Sequence, residues 1–149
     1  MNGTGFLNRT CLKGALVFRG MLLAAVAFGA ASAQEIDTQD GQDLYMTNCW
    51  QCHGRDGEGN GPMAEMLAIV TPDLTKLTAR NGGNFPIENV ARQIDGRAPL
   101  MAHGGEMPIF GPSLESDQHI AMRLPSGQPM MTGLPLANVI TYLESIQMD

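Results

Sequence analysis

Five consecutive residues, Cys49-Trp50-Gln51-Cys52-His53, hold two of the chain's three cysteines and one of its three histidines. Whatever fold the chain adopts must serve that point, because this spacing of thiols and imidazole marks a coordination or attachment site. A closed structural zinc site needs four ligands, yet no cysteine follows Cys52, and the other histidines, His103 and His119, lie far along the chain. A thioredoxin-like redox pair begins a helix after a strand, whereas GQDLYMTN, directly before Cys49, has a helical pattern. A disulfide across two intervening residues closes too small a loop to stabilise much.

The remaining reading of C-x-x-C-H is covalent attachment of haem. Two thiols at this spacing add to the two vinyl groups on one edge of the porphyrin, and the next histidine is then held under the iron. Cys49 and Cys52 are the expected attachment residues for one haem c, and His53 is an expected iron ligand. Only 5% of the residues are aromatic, so side chains supply little bulk for a core, and a porphyrin would complete it. An axial histidine usually donates its second ring N–H to a carbonyl. The glycine-rich run GRDGEGNGP that ends at Pro62 is expected to bring backbone to that ring.

Residues 1–20 carry Arg9, Lys13 and Arg19 without an acid, MLLAAVAFGA follows over 21–30, and Ala31-Ser32-Ala33 precedes Gln34. This order predicts a secretory signal peptide over 1–33, a domain over 34–149, and a periplasmic or secreted protein. Cys11 falls in the discarded segment. The apolar run is about half the roughly twenty residues a helix needs to span a bilayer, so no permanent membrane span is expected. Residues 34–149 hold all fifteen acids but six of the nine bases, a formal charge of −9. That charge argues against nucleic acid or an anionic membrane surface and favours a redox protein partner with a basic docking face.

The second axial ligand is sought among the methionines, nine of which follow residue 33. Most are expected to fill gaps in the core. Met107, in HGGEMPIFGP, precedes Pro108 in a stretch that cannot be regular helix, so a stiffened loop can hold its thioether over iron. Met131, in GQPMMTGLP, and then His103 are the rivals after Met107, with Met130 beside Met131 and Met101, two residues after Pro99, also candidates; His119 reads as part of a surface helix. Helices are expected over Asp40–Cys49, Thr71–Ala79 and Pro86–Asp95. A last one carries Leu136, Val139, Ile140, Leu143 and Ile146 in a single stripe. Asp73 suits a cap, Pro86 a first turn and Gly96 a stop. No strand is expected, so the fold reads as all-α, with the terminal helices crossing at Gly41.

Gly41 and Tyr45 on a first helix, Cys49, Cys52 and His53, then Gly61-Pro62, Met107-Pro108 and a last helix bearing Tyr142 together resemble a class I c-type cytochrome across residues 34–149. TPDLTKLTARNGGNFP and IDGRAPLMAHGGEMP further resemble short bacterial secreted monohaem cytochromes. The resemblance implies His53 and Met107 as axial ligands and the Pro62 carbonyl as acceptor for His53. Segment 109–134 departs from it by its length, which keeps Met130 and Met131 open. The implied function is one-electron transfer in a respiratory or dehydrogenase-linked chain, as a free carrier or as the electron-transfer part of a larger oxidoreductase. The alternatives are a haem-based gas sensor or peroxidase-like enzyme with an open sixth position, and a zinc-binding interaction module.

Overall fold

The computed structural model describes residues 35–98 and 107–148. Asp37 opens the first helix: its carboxylate accepts from the backbone N–H groups of Gln39 at 2.7 Å and Asp40 at 3.4 Å, donors that a helix start leaves free. Helix α1 runs over Thr38–Asn48, and beyond Cys49 one further turn, α2 (Trp50–His53), carries the rest of the motif. Short 3-10 turns at Ala64–Met66 and Leu74–Lys76 follow, the second leading into α3 (Leu77–Arg80). Then come α4 (Ile87–Asp95), a 3-10 turn at Gly111–Ser113, strands β1 (His119–Arg123) and β2 (Pro129–Gly133), and α5 (Leu134–Ser145).

The helix expected over Thr71–Ala79 begins later, because Asp73 is extended and caps it from outside. The Asp73 carboxylate accepts from the Thr75 N–H at 2.9 Å and the Thr75 hydroxyl at 2.6 Å. Pro86 stands just before α4, and Gly96, with φ of 83°, ends it as the sequence predicts.

The all-α expectation is corrected by an antiparallel hairpin, in which Ile120 pairs with Thr132 and Met122 with Met130. His119, expected on a helix, opens β1. Between the strands the Gly127 N–H donates to the Leu124 carbonyl at 2.9 Å, and Gly127 takes a φ of 82°. Pro125 and Ser126 occupy the middle of this turn, which is a hairpin connection of the type closed by a left-handed glycine. Met122 and Thr132 turn inward and are buried.

The first and last helices lie directly on one another. A Cβ on Gly41 would collide with the backbone carbonyl of Asn138 and the Cβ of Tyr142, so only glycine permits this approach. Tyr45, one turn further along α1, is fully buried, with its ring centroid 5.2 Å from that of Tyr142. The Asn138 side chain accepts from the Asp37 N–H at 3.0 Å and ties the start of α1 to α5. Of the stripe expected on α5, Leu136, Val139, Ile140 and Leu143 are buried. Past α5, the Gln147 amide donates to the carbonyls of Leu74 (2.8 Å) and Leu143 (2.7 Å) and accepts from the Thr78 N–H, clamping α3.

Candidate cofactor site

Tyr45 sets the position of the motif. From α1 its hydroxyl donates to the Gly54 carbonyl at 2.6 Å inside the protein, pinning the chain one residue past His53. Burial, assisted by Cys49, pushes the Tyr45 pKa well above the ordinary phenol value, so it remains a donor. In α2 the N–H groups of Cys52 and His53 both donate to the Cys49 carbonyl, at 3.2 and 3.0 Å. That single turn places both thiols and the imidazole on one wall of a cavity of about 450 Å³. The other walls are mainly apolar, with Leu74, Leu77, Val90, Ile94, Val139 and Leu143 among them.

Neither Cys49 nor Cys52 is in a disulfide. Burial, and then the neighbouring Cys52, pushes the Cys49 thiol up to about 11, so it is protonated at neutral pH. His53 is 9% exposed. Burial lowers its pKa against a smaller opposing effect of the Pro72 carbonyl, which keeps the ring neutral and its lone pair available to a metal. Among the described residues, His53 Nδ1 has no hydrogen-bond partner of good geometry. The Pro72 carbonyl is thus close enough to raise the ring's proton affinity but stops short of a full hydrogen bond.

Pro62 is placed differently from the expectation. The loop after His53 folds back on α2: Gly61 N–H donates to the Cys52 carbonyl at 3.1 Å and Met63 N–H to the Gln51 carbonyl at 2.8 Å. A Cβ on Gly61 would strike the Gln51 and Trp50 carbonyls. The reversal leaves Pro62 exposed and outside the cavity wall. Leu74 N–H donates to the Gly57 carbonyl at 2.7 Å, which draws residues 72–74 against the loop and makes Pro72 the proline that acts on His53.

Met107 is partly buried, packs against the core and lines the same cavity as His53. Met130 and Met131 lie on β2, Met131 is 59% exposed, and neither forms part of the cavity wall. His119 is exposed on β1 and also outside it. His103 and Met101 lie outside the described residues. Among the wall residues that the sequence does not single out, Pro72, Thr71 and Gln93 bear on the site. Pro72 was signalled only by its place before the Asp73 cap. Thr71 has a buried hydroxyl with no hydrogen-bond partner among the described residues. Gln93 is a polar residue between the buried Val90 and Ile94 of α4.

The arrangement fits a covalently held haem: two unpaired thiols, a neutral buried imidazole and a thioether converge on one apolar cavity. Among the described residues, no group of three or more His, Cys, Asp or Glu is placed to hold a metal ion, as a closed zinc site would require.

Residues 38–147 match the family described as Cytochrome c. A polyvinylalcohol dehydrogenase of Pseudomonas sp is 30% identical over 114 residues, which make up 76% of this chain and 17% of that one. The chain therefore spans well under two thirds of that relative. A chain of a reducing HAO-like protein complex from Kuenenia stuttgartiensis aligns with a TM-score of 0.49 at 20% identity, over 76% of this chain and 46% of that one.

Proposed function

Because this chain belongs to the cytochrome c family, we propose that it is a one-electron carrier of a periplasmic respiratory or dehydrogenase-linked chain. Cys49 and Cys52 would hold one haem through thioether bonds, and His53 and Met107 would ligate its iron. The observation that carries this reading is the convergence of those four side chains on one cavity. When bound, the haem supplies an Fe(II)/Fe(III) couple whose potential a histidine-methionine pair raises. His53 is kept neutral by burial and is therefore ready to ligate. Behind the exposed rim, the apolar inner walls would shield the reacting centre from most water and keep the two ligands in place, which would limit the reorganisation that accompanies each electron.

Residues 1–33 act as a secretory signal, and 34–149 is the mature domain. The acidic excess of residues 34–149 supports a redox partner with a basic docking face. The likeness to part of a polyvinylalcohol dehydrogenase supports a dehydrogenase as the electron donor. Among the described residues no helix is long and apolar enough to cross a membrane.

The test is the absorption spectrum of the haem-loaded protein, oxidised and reduced, beside that of Met107→Ala. The oxidised wild type should show a sulfur-to-iron charge-transfer band in the red that the variant lacks. A wild type without this band, whose reduced form binds carbon monoxide at neutral pH, would have an open sixth position and be no dedicated carrier.

A further inference from the structure

Pro86, Val90, Gln93 and Ile94 recur along α4 and its start at the spacing of one helix face, and all four line the cavity. Gln93 is the polar member. An amide turned toward an apolar cavity is costly unless its N–H groups find acceptors. Gln93 Nε2 lies 3.9 Å from Met107 Sδ, with the amide donating and the thioether accepting. The two segments are also joined through the backbone, since the Phe110 N–H donates to the Ile94 carbonyl at 2.9 Å. The outer side of α4 is braced separately by the Arg92–Glu88 pair at 2.8 Å. Residues 107–110 are therefore fastened to α4 at two points, and one of those points is the sulfur itself.

We propose that Gln93 is a positioning residue, whose amide N–H donates to the Met107 thioether, orients its sulfur and raises the reduction potential of the site. The inference rests on the ligation by His53 and Met107 proposed above. A thioether sulfur has two lone pairs, so one can face a metal while the other accepts an N–H. The hydrogen bond draws electron density from sulfur and weakens its donation, which matters more to Fe(III) than to Fe(II). Removing the donor therefore favours the oxidised state.

The experiment is a redox titration of the haem-loaded wild type, Gln93→Leu and Gln93→Ala, with the red band followed as pH rises. The alanine variant serves where the leucine one fails to fold. Both variants should keep the band at neutral pH. At a fixed solution potential their Fe(II)/Fe(III) ratio should fall about three- to tenfold, the range of one net hydrogen bond. The band should also disappear at a lower pH than in the wild type, because the sulfur is held less firmly. A packing role alone would lower the melting temperature and leave the ratio in place. An unchanged ratio in a variant that retains the band overturns the role of Gln93 and leaves the ligands standing. Absence of the band from the wild type overturns both.

Discussion

The Tyr45 hydroxyl meets the Gly54 carbonyl where water cannot replace either partner. Tyr45→Phe keeps the ring against Tyr142 but leaves that carbonyl, among the described residues, only the Gly57 N–H at 3.4 Å. We expect a loss of about 1–3 kcal/mol, seen as a lower denaturant midpoint at unchanged slope. The sign with pH follows from the raised pKa. An unfolded tyrosine ionises near pH 10, so above that pH the unfolded chain binds fewer protons than the native one, and stability falls as pH rises. The variant should show a shallower alkaline decline. At the other end of the scale, the Thr75 hydroxyl is the main cause holding the Asp73 carboxyl below the usual range, with the Thr75 N–H and Lys76 adding to it. A depressed carboxylate stabilises the fold above its unfolded pKa, about 3.9, and that contribution is lost as pH falls through the folded value. Thr75→Val should raise the Asp73 pKa in an NMR titration and flatten the loss of stability below about pH 4.

The α1–α5 contact depends on one missing side chain. In Gly41→Ala the new methyl meets the backbone of Asn138, which cannot rotate away, so the helices must separate and loosen the Tyr45–Tyr142 pair and the Asn138–Asp37 bond. A loss of about 3 kcal/mol, at the upper end of overpacking effects, should appear in thermal or denaturant unfolding. This contact was legible because glycine and tyrosine one turn apart face an apolar stripe that keeps helical period through Leu143. The hairpin was not. Ile120 in the five-residue β1 and Leu124 just past its end are spaced for a helix as well as for a strand, and only Pro125-Ser126-Gly127 decided between them. The site divides along the same line. Cys49, Cys52 and His53 sit in one local motif, and Met107 is marked by its proline. Pro72 reaches His53 only because the Gly54–Gly61 loop reverses, and Gln93 matters only once the cavity-facing side of α4 is known. Contacts made through a chain reversal leave no period in the sequence to read.

For the molecule as a whole, the cavity decides what the folded chain requires. It measures about 450 Å³ and takes walls from α1, α4, α5 and the segment at Met107. An unfilled apolar void costs roughly 24 cal/mol per Å³, so this one would cost on the order of 10 kcal/mol. That is comparable to the entire stability of about 5–15 kcal/mol typical of a domain. Ile69, which lines the cavity, is largely exposed, so water enters at the rim and the figure is an upper bound. Even half of it leaves little margin for a domain with an excess of nine negative charges over residues 34–149. A porphyrin in this cavity would therefore belong to the core of this protein as much as Tyr45 or Ile140 does. Cys49→Ser combined with Cys52→Ser would remove both proposed attachment points while changing each side chain by one atom. We expect this double variant to retain far-ultraviolet helix signal but to lose near-ultraviolet dichroism and bind a hydrophobic dye, and to melt without a cooperative transition. The haem-loaded wild type should melt cooperatively. A double variant with wild-type melting and native near-ultraviolet signal would mean that the walls close on themselves, and that the cavity is a binding site the fold can do without.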